Sequence, residues 1–170
     1  MTSAVIVDTN VVLVANGQHP DVSDECVASC AMKLESIKRE GRIVLDDAFR
    51  ILGEYQHKTR PNRAKGPGDA FVKWVLQNMA NGARCDLTPI EEHEERGFES
   101  FPEDADLANF DMADRKFVAV AAAHPEHPVI LQAADSKWLD WSPALERCGL
   151  RVEFICEADI RKFHYNKFGT

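Results

Sequence analysis

The chain has 170 residues, 45% of them hydrophobic, and a formal net charge of −8. That length suits one domain with a real core, and no apolar run approaches the roughly 20 residues that span a bilayer. The acidic balance excludes a protein that coats nucleic acid by bulk charge, while leaving room for an enzyme that grips it locally.

The first element is Ala4-Val5-Ile6-Val7, an apolar, mostly β-branched run that predicts a short buried strand over 3–8. No basic segment precedes it, so it is expected to belong to the fold and not to a secretory leader, and the protein to be cytoplasmic. Asp8 follows directly, where open α/β sheets place their ligand sites. Thr9 and Asn10 can cap the helix expected next, through Val11-Val12-Leu13-Val14. Asp8 itself suits two uses, helix capping and ligand binding.

Residues 22–40 predict a helix, since Val22, Cys26, Val27, Cys30, Ala31, Leu34 and Ile37 recur at spacings of three and four, and Gly41 ends it. Cys26 and Cys30 then face one side. The five cysteines (Cys26, Cys30, Cys85, Cys148 and Cys156) are odd in number and contain no C-x-x-C pair. They are expected to be buried reduced thiols, and neither they nor the six scattered histidines have the spacing of a metal site.

Arg42-Ile43-Val44-Leu45 predicts a second strand, and Asp46 or Asp47 a cap for a helix carrying Phe49, Ile51, Leu52 and Tyr55. Residues 57–68 form a loop with four cations, Lys58, Arg60, Arg63 and Lys65, which suit phosphates beside an acidic site. A helix follows over 69–81, then a short strand over 84–90 weakened by Pro89. Residues 91–109 are an acid-rich insertion, expected as solvated helix and loop. Asp111 and Asp114 lead into an alanine-rich helix that ends at His124-Pro125. Val129 to Ala134 is a buried strand with Asp135 at its end, residues 136–148 are helical, and 151–156 alternate as a last strand. Trp74, Trp138 and Trp141 are expected mainly in the core.

This alternation predicts a single domain over 1–170 with a three-layer α/β/α sandwich around a mainly parallel sheet. Asp8 and Asp135 each follow a buried strand and would emerge together if those strands are parallel neighbours. Glu54 interrupts an apolar helical stretch, which demands a partner. Asp114 opens a helix, near its positive end. Four converging carboxylates would repel one another without a divalent cation, and oxygen-only ligands suit Mg²⁺ or Mn²⁺. Such an ion can activate water and stabilise a phosphodiester under attack.

Val-Ile-Val-Asp-Thr-Asn, the Gly-Glu-Tyr of the next helix, Asp-x-x-Asp-Arg-Lys-Phe-Val-Ala-Val-Ala and the strand ending Ala-Ala-Asp-Ser together resemble the PIN-domain nucleases, over residues 3 to about 157. The resemblance implies the three-layer fold and metal-dependent cleavage of RNA, sometimes DNA. It places the family's four acids on Asp8, Glu54, Asp114 and Asp135, with Asp8, Asp114 and Asp135 as the metal ligands. Thr9, Asn10 and Ser136 would assist, Asp111 could share the third role and Asp140 could replace Asp135. One departure is Ala133-Ala134, where the family often has Thr or Asn before the fourth acid.

The resemblance implies an endoribonuclease, with two alternatives: a toxin masked by a protein antitoxin, or an inert PIN-like nucleic-acid-binding module. RNA is the expected partner and no membrane is. The apolar helices around 26–37 and 71–79 are candidate homodimer surfaces.

Overall fold

The computed structural model describes residues 3–63 and 65–169. Residues 1, 2, 64 and 170 lie outside it, Ala64 being part of the basic loop expected over 57–68.

Five strands, β1 (Ala4–Val7), β2 (Arg42–Asp46), β3 (Cys85–Thr88), β6 (Val129–Gln132) and β7 (Val152–Phe154), form a parallel sheet in the order β3-β2-β1-β6-β7. A separate antiparallel pair joins β4 (Glu92–His93) to β5 (Gly97–Phe98). Seven α-helices among the described residues flank the sheet: α1 (Thr9–Ala15), α2 (Asp24–Glu40), α3 (Arg50–Lys58), α4 (Pro67–Asn78), α5 (Arg115–Ala123), α6 (Lys137–Arg147) and α7 (Glu157–Phe168). The result is an α/β fold consistent with the expected three-layer sandwich. None of its helices is long and apolar enough to cross a membrane.

The sheet explains where the site lies. β1 pairs with β2 on one side and β6 on the other, in register Val5↔Ile43 and Val7↔Leu131. Ile6, Val7, Ile43, Val44, Leu45, Ile130 and Leu131 are buried, as parallel strands covered on both faces require. Strand order reverses between β1 and β6, so a crevice opens beyond their carboxyl ends. Asp8 follows β1 directly, and Asp135 lies three residues beyond β6. The Tyr55 hydroxyl donates to the Val7 carbonyl, which fixes α3 and its Glu54 against this same end of β1.

Several expectations need correction. α1 begins at Thr9, so Asp8 is the cap and Thr9 and Asn10 are its first helical residues. Phe49 lies outside α3, in the left-handed region at φ 59°. Asp46 nevertheless caps that helix from a distance, accepting from the amides of Arg50 and Ile51 at 2.9 and 3.0 Å. The apolar face of α2 (Cys26, Cys30, Leu34, Ile37) and that of α4 (Phe71, Val72, Val75) pack within the chain.

The acid-rich segment is not helical but a hairpin followed by a single-turn 3₁₀ helix over Ala105–Leu107, with Phe98, Phe101, Leu107 and Phe110 turned inward. Arg115 fastens it. Its buried guanidinium donates to the carbonyls of Arg96, Ala108 and Phe110 at 3.0–3.1 Å and lies over the Phe101 ring. α7 was not foreseen at all, and Ile160 is its one buried residue.

The cysteines are not all reduced: Cys26 on α2 is bonded to Cys156, the residue before α7. Cys30 stays a free thiol with its Sγ 3.7 Å from that of Cys156, and burial pushes it up to about 12. Cys26 and Cys30 do face one side, as their spacing requires.

Candidate metal centre

Asp8 caps α1 through Oδ1, which accepts from the Asn10 amide at 2.8 Å. Its other oxygen, Oδ2, is buried and has no hydrogen-bond partner among the described residues. The whole residue is 5% exposed, so this is a desolvated carboxylate with half its capacity unused. Burial first, then the charges of Asp114, Glu54 and Asp135, hold its carboxyl well above the ordinary range, against the Asn10 hydrogen bond. One Asp8 oxygen therefore caps α1, and the other makes no hydrogen bond to the described residues.

Carboxylate oxygens of Asp111, Asp114 and Asp135 lie within 4.8 Å of one another. Burial pushes Asp114 up to about 6, with Asp135 and Glu54 adding to the rise, Lys116 opposing it and Asp111 adding a little more. Glu54 has the partners its position demanded. Oε2 accepts from the Thr9 hydroxyl at 3.0 Å and pairs with Lys116 Nζ at 2.9 Å. Asp111 pairs with Lys137 at 2.7 Å. The two lysines escaped the sequence reading, although each stands two residues after an acid of the set, Lys116 after Asp114 and Lys137 after Asp135.

The missing Thr or Asn before Asp135 is compensated through the backbone. Gln132 Oε1 accepts from the amides of Ala133 and Asp135 at 2.9 and 3.4 Å. Asn10 Oδ1 accepts from the Ala134 amide at 2.7 Å, tying the start of α1 to the turn that carries Asp135. Ser136 is buried beside it. Asp140 does not join the cluster: its carboxylate meets His164 Nε2 on α7 at 2.8 Å, so it does not stand in for Asp135.

The donor set fits a hard divalent cation. It is oxygen only, it gathers Asp111, Asp114 and Asp135, and the charges of Asp114 and Asp135 reach Asp8, which brings an unpartnered buried oxygen. The group formed by Asp86, His124 and Glu126 is different in kind, because Arg42 pairs with both of its acids and His124 with Asp86.

Lys58, Arg60 and Lys65 share a cleft of about 530 Å³ with Asn16, Gln18 and His57, whereas Arg63 does not line it. Lys58 follows Glu54 by four residues on α3, so one helical face leads from the acids to the cations. The cleft is built around Asp69, which accepts from the Arg60 amide at 2.8 Å, Asn16 Nδ2 at 2.9 Å and the Gly66 amide at 3.1 Å. α4 approaches α1 so closely that a Cβ on Gly68 would lie 2.3 Å from the Val12 carbonyl.

Burial raises the Asp69 carboxyl, but the hydrogen bonds from Arg60, Asn16, Gly66 and Lys65 outweigh it and hold the group below its usual value. A lowered carboxylate stabilises the fold above about pH 4, its unfolded value, and loses that contribution as pH falls through the folded one. Asp69→Asn is therefore expected to cost about 1–3 kcal/mol at pH 7. In urea melts the gap from wild type should narrow below about pH 4; a gap independent of pH would contradict this.

Comparison with family models, with curated proteins and with solved structures finds no match to this chain.

Proposed function

We propose that this chain is a divalent-metal-dependent nuclease, in the first place an endoribonuclease of the kind the PIN-domain resemblance implies. The observation that carries this reading is Asp8 Oδ2, a buried carboxylate oxygen without a partner among the described residues, under the charges of Asp114 and Asp135 at the switch point of a parallel sheet. Asp8, Asp114 and Asp135 would hold Mg²⁺ or Mn²⁺, and a carboxylate oxygen of Asp111 lies within 4.8 Å of those of the latter two. When bound, such an ion supplies an acidified water and charge neutralisation on the phosphodiester.

The chain's own groups do the rest. Thr9 and Lys116 hold Glu54 in one orientation, and Lys116 brings a positive charge to a site otherwise built of acids. Gln132 and Asn10 keep the Asp135 turn rigid, which keeps the carboxylates in place as charge develops. Lys58, Arg60 and Lys65 line the path along which a polyanionic strand would leave the acids. Without an ion the cluster repels phosphate; with one, the same cluster attracts it.

The test is incubation of the purified protein with labelled single-stranded and structured RNAs and DNAs, in Mg²⁺ or Mn²⁺ against EDTA. Cleavage of single-stranded RNA that stops in EDTA is expected. A protein that binds the cation yet cuts none of these substrates would contradict the proposal.

A further inference from the structure

Next to the aspartates lies a cleft of about 470 Å³, lined among others by Asn10, His19, Asp135, Phe163, Asn166 and Lys167. That volume suits a small ligand of nucleotide size. Because Asp135 belongs to both, the cleft adjoins the candidate metal centre. Its far wall is α7, the helix that the sequence did not reveal.

Three features of that wall point to the ligand. His19 and Phe163 both line the cleft and stack on each other, with centroids 5.9 Å apart and planes 17° from parallel. His19 Nδ1 is buried and has no hydrogen-bond partner among the described residues. Asn166 and Lys167 add an amide and an ammonium to the rim. Aromatic surface, edge-reading amide and phosphate-seeking cation together are the chemistry that recognises an unpaired nucleotide.

The wall is also fixed in place. The Cys26–Cys156 disulfide holds the start of α7, and Asp159 accepts from Ser23 N and Oγ at 2.7 and 2.8 Å. Ile160 is buried beneath the helix.

We propose that this cleft binds the unpaired nucleotide next to the bond that is cut, so that His19, Phe163 and Asn166 set the sequence preference of cleavage. The inference rests on the nuclease reading above, and its test separates the two.

The four ribonucleoside 5′-monophosphates are titrated into the oxidised protein with Mg²⁺ present, and resonances of His19 and Phe163 are followed by NMR. Shifts at both residues are expected, unequal among the four bases, with binding weakened at least about fivefold in Phe163→Ala, from the usual worth of a stacked base. Asn166 is exposed, so Asn166→Ala leaves the helix intact and should change the ranking of the bases. In parallel, cleavage sites on a random-sequence RNA are sequenced, and the preference next to the cut should flatten in both variants.

Shifts that map elsewhere, or variants with unchanged binding and unchanged preference, would overturn the inference while leaving the nuclease intact. If the wild type cuts no RNA but the nucleotides still shift His19 and Phe163, the nuclease reading fails and the nucleotide site stands.

Discussion

Asp8→Asn should leave the protein folded, lower cation-dependent cleavage by about a hundredfold or more, the scale of losing a group that organises charge at a reacting centre, and raise the melting temperature in EDTA by a few degrees. The three effects share one cause. Asn keeps the cap, since its carbonyl can accept from the Asn10 amide as Oδ1 does now. In place of the orphaned Oδ2 it puts an NH₂ that can donate to a neighbouring carboxylate. It also removes a carboxylate that burial and the charges of Asp114, Glu54 and Asp135 all disfavour.

The sign of the pH dependence follows. Raised carboxyls such as Asp8 and Asp114 bind protons more tightly in the folded state, so their contribution is full below about pH 4 and is lost as pH rises. For Asp114 the loss runs through about pH 6. In EDTA the variant's advantage should therefore grow between pH 4 and pH 7, and added Mg²⁺ should stabilise the wild type and not the variant. Undiminished cleavage by Asp8→Asn would remove Asp8 from the site.

The second large effect concerns the disulfide. Cys26 and Cys156 are 130 residues apart, and chain entropy assigns a cross-link of that span about 4–5 kcal/mol. Loss of the bond should lower the melting temperature by roughly 8–20 °C. The two cysteines are not equivalent, because Cys30 Sγ lies 3.7 Å from Cys156 Sγ. Cys156→Ser should show the full loss. Cys26→Ser should lose less, with Cys30 pairing to Cys156, and non-reducing peptide mapping would identify that new link. Equal melting temperatures for the two variants would contradict the arrangement.

The sequence made the sheet legible because β1, β2 and β6 are short apolar runs bounded by acids and turns. The same property exposed Asp8 and Asp135, since a charged residue ending a buried strand is conspicuous. Glu54 was legible as a polar break in an apolar helix face. Other features left weaker marks. α7 buries little beyond Ile160, so its pattern has no apolar stripe. The strands of the hairpin in the acid-rich segment are two residues long, too short for alternation, although Phe98, Phe101 and Phe110 marked it as more than a solvated loop. The disulfide joins residues from opposite ends of the chain, and no spacing rule reaches that far. The cleft beside Asp135 was hidden for the same reason, its walls coming from α1, the α1–α2 connection, the turn after β6 and α7.

The claim on which the rest depends is that these aspartates form a divalent-cation centre. Titrating the protein with Mn²⁺ at neutral pH, and following the free-ion signal by electron paramagnetic resonance, tests it directly. Wild type is expected to deplete the signal, Mg²⁺ to restore it by competition, and Asp8→Asn and Asp114→Asn to leave it largely intact. A wild type that leaves the signal unchanged, or variants that deplete it equally, would contradict the assignment.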